Sequence, residues 1–450
     1  MITARDIATS LRNNDVLKGS AGALAIKFAG SILGFTMFAL AARAMDPHAF
    51  GTLAVIFNAM AFLAVVAGIG QETLIVRSWD EYCGTARPAL ARGALAFGIK
   101  VTVGAGLLTT ALVALAWPLL QPQVPITLVL AACSFLLAQS FMNFSAQFSR
   151  VAAGVFVGEP PREILWRLLM VVTIIMHQIL QTPFTATEFF VTATSALIVS
   201  VLLQQAQVAR VLPNAVVSSK SESDLAEWLP RSLRMWLSAL LDTSSQYLEV
   251  IVIGFFVGPT AAAFYFVATR ITNVFAMISG GITAYATSQI SNLFHSDSKD
   301  ELQTILRSLA FISTALAGGA FLVILVGGKL LLWVFGAVYV SAYPALLILA
   351  AGAAVVTLTG PAAYLLLLTG NEGIYPRIMA CGLLGRLVLI AVLGPWLGLL
   401  GAAIAWSLSA AGMALALVIA CRQRIRLDPS IIGTLVRPRP IGIGLKESLP

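Results

Sequence analysis

"LLDTSSQYLEVIVIGFFVG", residues 240–258, is apolar enough to sit in a bilayer, yet it carries Asp242 and Glu249. An ionised carboxylate near the bilayer centre costs about 2.5–3.5 kcal/mol on insertion scales. Each Leu, Ile, Val or Phe returns only about 0.3–0.6 kcal/mol there. Two acids in such a helix therefore need partners or water. Asp242, Ser245, Gln246 and Glu249 recur at helical spacing, so they share one face, and the opposite face is apolar. A stripe of that kind points into a helix bundle or a hydrated cavity rather than at lipid.

The rest of the chain has the same character. Of 450 residues, 59% are hydrophobic and 11% charged, against about 25% charged in soluble domains. The composition excludes a soluble globular fold and implies an all-α integral membrane protein. A spanning helix needs about 20 apolar residues. Twelve segments qualify, at 18–44, 50–76, 93–119, 125–149, 163–181, 188–210, 231–257, 261–291, 305–333, 343–369, 375–394 and 398–421. No short apolar core followed by a small-residue cleavage site marks a leader in the polar first 20 residues.

The connections alternate in character. Links 45–49, 120–124, 258–260 and 395–397 are short and lack Lys and Arg; 77–92, 150–162, 211–230 and 292–304 are long and charged. Most of the 28 Lys and Arg fall on the side of the long links, while Arg43 and Lys329 lie on the other. The positive-inside rule then puts both termini of a multi-pass membrane protein in the cytoplasm. The net charge of +8 follows from this topology and does not imply nucleic-acid binding.

Residues 43–57 (RAMDPHAFGTLAVIF) and 255–269 (FFVGPTAAAFYFVAT) are both helix, tight proline turn, helix. Pro47 aligns with Pro259 at an offset close to half the chain. Six helices in each half, with both termini on one side, predict two six-helix lobes related by a pseudo-two-fold axis along the membrane normal. The expected divisions are an N-terminal lobe 1–210, a Pro-bounded, Ser-rich linker 211–230, a C-terminal lobe 231–421 and a basic tail 422–450. The tail is placed along anionic headgroups or read as disordered.

The run LEVIVIGFFVGPTAAAFYFVATRI (248–271) resembles the seventh and eighth helices of the polysaccharide transporters. These belong to the multidrug, oligosaccharidyl-lipid and polysaccharide flippase superfamily. Glu249, Gly254, Gly258, Pro259, Tyr265, Ala268 and Arg270 fit its pattern, with Ala263 where Gly is frequent and Glu where Asp is commoner. The stretches 18–51 and GIGQETLIVR (68–77) are similar to that family's opening. The resemblance implies alternating-access movement of a polyprenyl-diphosphate-linked oligosaccharide, for exopolysaccharide, capsule or O-antigen assembly. It further implies membrane lipid and polysaccharide polymerase machinery as neighbours. A cation-coupled multidrug exporter of the same superfamily is the alternative, and a membrane glycosyltransferase or polymerase a remoter one.

Candidate site residues follow from depth. Glu249 and Arg270 flank the 258–259 turn at similar distances, so an ion pair between them is feasible. That pair is either a packing device, or Glu249 or Asp242 binds a coupling proton or sodium ion. Lys27, Lys100, Arg270 and Arg386 lie inside spans, and as cations lining one cavity they would suit a diphosphate. Lys27 and Lys100 could equally snorkel, Arg386 is pore-facing or paired, and Arg167 is close enough to its helix end to snorkel. Asn58, Asn143, Gln147 and Asn273 are placed to meet sugar hydroxyls or neighbouring helices. Gly30 and Gly34 allow close helix approach. The four cysteines and three histidines are scattered, so no disulfide framework, metal site or cofactor is expected. No Gly-rich loop with Lys marks a nucleotide site, so transport would be driven by an ion gradient or by substrate supply.

Overall fold

The computed structural model describes residues 4–120, 123–295, 299–360, 362–368, 373–425 and 428–430. Most of the basic tail therefore lies outside the described residues. Every regular element among them is helical. The first ten are α1 (Ala4–Ala44), α2 (Pro47–Gly68), α3 (Gln71–Gly84), α4 (Pro88–Leu120), α5 (Ile126–Ala153), α6 (Val155–Pro160), α7 (Trp166–Ile179), α8 (Ala186–Ala209), α9 (Asn214–Ser218) and α10 (Leu225–Phe256). They are followed by α11 (Pro259–His295), α12 (Lys299–Trp333), α13 (Tyr343–Leu358), α14 (Ala362–Leu368) and α15 (Ile374–Arg424).

Among the described residues, ten helices are long and apolar enough to cross a membrane. Two local features reconcile them with the twelve predicted segments. The segment at 163–181 is interrupted near its start: a π-turn, Pro161–Leu165, joins α6 to α7. Pro161 has no N–H to give the preceding turn and its ring crowds the carbonyl four residues back, which forces the extra residue. The other feature is Gly398, whose φ of 60° and ψ of −136° break α15 internally. Arg386 Nε donates to Ser409 Oγ at 2.8 Å, and a Cβ on Gly382 would stand 2.1 Å from Met413 Cγ. Both pairs straddle Gly398 almost symmetrically, so α15 is two antiparallel helices that meet at Gly398.

Elsewhere the structure departs from expectation. The segment 50–76 is not one helix. Ile69 (φ 44°) and Gly70 (φ 70°) are both left-handed, and they end α2 and begin α3. The charged links are also largely helical. α3 fills much of 77–92, and α6 with the π-turn fills 150–162. Polar side chains there make the sequence look like loop, but α3 buries an apolar face. Leu74, Ile75 and Trp79 of α3 pack with Phe144 and Phe148 of α5 and with Trp228 of α10.

Helix starts follow local chemistry. Asp46 Oδ1 accepts from the backbone N–H groups of His48 and Ala49 at 2.9 and 3.0 Å, with Pro47 at the first helical position. Thr185 and Glu188 form a capping box on α8.

Packing groups the chain into two compact units. One comprises Met1–Arg270, Leu332–Ala342 and Ile390–Leu399; the other Ile271–Leu331, Tyr343–Leu389 and Leu400–Pro450. The first has an aromatic core. Phe38 of α1 meets Phe57 of α2 at 5.1 Å and Phe266 of α11 at 4.8 Å, and Phe57 meets Phe135 of α5 at 5.4 Å. The second has a core of Leu306, Leu309, Leu365, Leu366, Val418 and Cys421. Large apolar side chains such as Leu119, Val326 and Trp396 are more than four-fifths exposed, which suits a surface facing lipid rather than water.

Candidate functional site

The α10–α11 hairpin positions the acid of the opening stretch. Asp224 caps α10 by accepting from Glu227 N–H at 3.2 Å. The helix runs to Phe256, the chain turns at Val257 and Gly258 (φ 115°), and α11 restarts at Pro259. Glu249, 5% exposed, accepts a hydrogen bond from the Tyr265 hydroxyl at 2.8 Å. Arg270 was the partner suggested by depth. It lies five residues beyond Tyr265, about 7.5 Å further along α11, and its contacts are with rings instead. Its guanidinium sits 5.0 Å over Phe38 and 4.3 Å over Phe266. The Nε is buried without a hydrogen-bond partner. Tyr247 and Arg167 stand within electrostatic reach.

The polar stripe on α10 is not uniform. Glu249 is buried and Ser245 half-buried, its hydroxyl donating back to Leu241 O at 3.3 Å, while Asp242 and Gln246 are exposed. The predicted cations also separate. Lys27 and Lys100 are exposed. Arg386 is 5% exposed and sits in the second unit, bonded to Ser409 and 5.6 Å over the Trp406 ring. Arg167 does not snorkel. Its Nη1 donates to Glu163 Oε2 at 2.7 Å and to Gly30 O at 3.1 Å. Gly30 permits that approach, since a Cβ there would stand 2.7 Å from Glu163 O. Among the polar candidates, Asn58 is buried and donates to Ala54 O at 2.7 Å, Asn143 is buried and accepts from Gln139 Nε2 at 3.1 Å, Gln147 is half-buried and Asn273 is exposed.

Arg270 thus sits on Phe38 and Phe266 within electrostatic reach of Arg167, and Glu249 faces Tyr265 in the same α10–α11 hairpin. It also shows an acid that was not singled out. Glu72 opens α3, directly after the break in α2. Burial holds its carboxyl above the usual carboxylate range, opposed by the Arg162 charge and by a hydrogen bond from Asn143. Its signal lay in GIGQETLIVR, where an acid follows two helix-breaking glycines. No group of three or more His, Cys, Asp or Glu that could hold a metal occurs among the described residues.

A bundle of apolar crossings with cations and acids sealed in its interior defines a polytopic membrane protein. Residues 16–290, more than half of the chain, match the family described as polysaccharide biosynthesis protein, and the chain belongs to that family. No curated protein sequence matches it. Among solved structures it is similar to an inward-facing multidrug resistance MATE family transporter of the MOP superfamily, at 16% identity over 88% of this chain and 94% of that one, with a TM-score of 0.73. It is also similar to the lipid II flippase MurJ in an inward closed conformation, at 14% identity, 88% and 86% coverage and a TM-score of 0.66. A third is a MOP superfamily transporter from Pyrococcus furiosus, at 14% identity, 91% and 95% coverage and a TM-score of 0.63. At such identities the likeness shows the fold: an all-α, twelve-helix, two-lobe membrane architecture.

Proposed function

We propose that the protein is a flippase, a non-enzymatic transporter that moves a polyprenyl-diphosphate-linked oligosaccharide across the cytoplasmic membrane by alternating access. Its boundaries are taken as lobes 1–210 and 231–421, with both termini cytoplasmic. The observation that carries the substrate is Arg270. A guanidinium held on aromatic faces, with a buried Nε lacking a partner and Arg167 within electrostatic reach, keeps its donors for an anion. Arg binds phosphate oxygens in a fork and stays charged. Family membership supports a role in polysaccharide assembly, and a lipid II flippase shares the fold.

The second reading is export of cationic drugs, which the multidrug transporter of the same fold favours. Arg270 speaks against it, because a fixed cation on the Phe38 and Phe266 faces occupies the surface a drug cation would use.

The test uses a deletion strain of the source organism. Lipid-linked oligosaccharide should accumulate in its membranes and surface polymer should be lost. The wild-type chain restores both and Arg270→Ala does not, at equal protein level. A polymerase-null strain serves as the control for a block downstream. Unchanged lipid-linked pools with altered sensitivity to cationic drugs would transfer the protein to the exporter reading.

A further inference from the structure

Glu72 is a half-buried acid, with one carboxylate oxygen sealed, that substrate recognition does not use. The chain enters α3 through two left-handed residues, Ile69 and Gly70, and Gly70 is pressed onto α10, since a Cβ there would stand 2.2 Å from Ser232 O. The break lays the Glu72 side chain back over the end of α2, where a Cβ on Gly68 would stand 3.2 Å from Oε1. The residue keeps partial exposure, but Oε1 itself is sealed from solvent and has no hydrogen-bond partner. A sealed, unpartnered carboxylate oxygen is costly, and one proton removes much of the cost.

Two neighbours hold the other side. Asn143 of α5 has its amide oxygen taken by Gln139 Nε2 at 3.1 Å, which leaves its NH2 to donate to Glu72. Arg162 of the π-turn acts on Glu72 electrostatically, and its Nε also lies 3.9 Å from Glu163 Oε1. Glu163 already has Arg167 at 2.7 Å, so Arg162 is only loosely committed to it. The other charges on the elements around α3 are engaged or turned out. On α5, Arg150 binds Glu159 at 3.4 Å. On α4, Arg92 donates to the carbonyls of Val217 and Ser219, and Lys100 is exposed. On α10, Arg231 binds Glu81 of α3 and Glu227, while Arg234 and Asp242 are exposed. The remaining charges of α3 itself are Arg77, Asp80 and Glu81.

We propose that Glu72 is a proton-binding site of this protein, with Arg162 shared between Glu72 and Glu163 according to whether Glu72 holds a proton. When a proton from the aqueous phase adds to the carboxylate, the charge that draws Arg162 to Glu72 is gone and the guanidinium turns to Glu163. When the proton returns to water, Arg162 comes back. The broken end of α2 thus has two electrostatic states set by one proton. Coupling of those states to transport rests on the flippase reading; the proton site itself does not.

The experiment is infrared difference spectroscopy of the full-length protein in lipid nanodiscs during a pH titration, without substrate. A protonated-carboxyl C=O band should grow as pH falls, vanish in Glu72→Gln, and persist in Glu249→Gln and Asp242→Asn. Arg162→Gln should move its midpoint to higher pH, because the cation that opposes protonation is gone. Replacing potassium by sodium should leave the midpoint unchanged. A band indifferent to Glu72→Gln overturns the assignment, and a sodium-dependent midpoint replaces the proton site with a metal-ion site. Proteoliposomes provide the separate readout. Glu72→Gln should lose the acceleration of lipid-linked oligosaccharide movement by a pH gradient, while gradient-free equilibration stays within about twofold of wild type. Wild type that moves no such lipid, yet shows the Glu72 band, would sink the flippase reading alone.

Discussion

Gly51 of α2 lies against the backbone of Pro259, the first residue of α11: a Cβ at position 51 would stand 1.8 Å from the Pro259 carbonyl oxygen. No side-chain rotation relieves a clash with main chain, so Gly51→Ala must shift α2 relative to α11. Overpacking of this kind costs about 1–3 kcal/mol. Gly51→Ala is expected to lower the unfolding temperature in detergent and to reduce the monodisperse fraction on size exclusion. The control is Gly104→Ala in α4, where nothing lies within 4 Å of the added methyl. That change should leave stability equal or raise it by up to about 1 kcal/mol through helix propensity. Equal behaviour of the two variants would contradict the packing.

Tyr265 and Glu249 give a second prediction. Tyr265→Phe keeps the ring, which is fully buried, and removes the hydroxyl from beside a buried carboxylate. Loss of a hydrogen bond to a charged group costs about 1.5–3 kcal/mol. Glu249→Gln keeps an oxygen that can accept from the hydroxyl and removes the charge, so it should cost less. The expected order of thermal stability in detergent is wild type, then Glu249→Gln, then Tyr265→Phe. The reverse order of the two variants would show that the charge itself, and not the hydroxyl, holds the hairpin.

The segment 211–230 gives a third. It is stapled to α3 and α4. Glu222 N–H donates to Ala89 O at 3.1 Å, Trp228 Nε1 to Tyr82 Oη at 2.8 Å, and Arg92 to the carbonyls of Val217 and Ser219. Arg92→Ala and Trp228→Phe together should expose it. Limited proteolysis of the purified protein should then cut between 211 and 224 at least several-fold faster than in wild type, with other sites unchanged. Equal cleavage rates would mean that the segment is already loose in wild type.

These positions also show how much was legible in sequence. Helix number and the hairpin at 258–259 were readable because apolar length and proline–glycine turns are local properties. The break at Ile69–Gly70 was not, because a single apolar residue between glycines looks like continued helix, and the close approach of Gly70 to Ser232 O of α10 is a tertiary contact that no local pattern carries. Partner choice was not legible. Counting along the helices sets Glu249 and Arg270 at similar depth, but Tyr265 faces Glu249 in the register that the turn sets, and Arg270 lies about 7.5 Å further along α11. Arg167 likewise reads as a snorkelling cation until Gly30 is seen to admit Glu163 beside it.

The buried carboxyl of Glu72 adds a pH dependence whose sign is determined. Its folded-state value is raised by desolvation, which outweighs Arg162 and Asn143. Between the ordinary carboxylate range and that raised value, the folded protein binds a proton that the unfolded chain has released. Stability contributed by this group is therefore full at low pH and lost as pH rises through the folded-state value. Glu72→Gln mimics the protonated form at every pH. In detergent, the unfolding temperature of wild type should fall relative to that of Glu72→Gln as pH is raised across this window, and the two should converge at the acidic end. Arg162→Gln should extend the fall to higher pH, since the folded-state value rises further once that opposing cation is gone. A difference between wild type and Glu72→Gln that does not vary with pH would mean that Glu72 stays ionised in the fold, and that its role is to hold Arg162 and Asn143 in place.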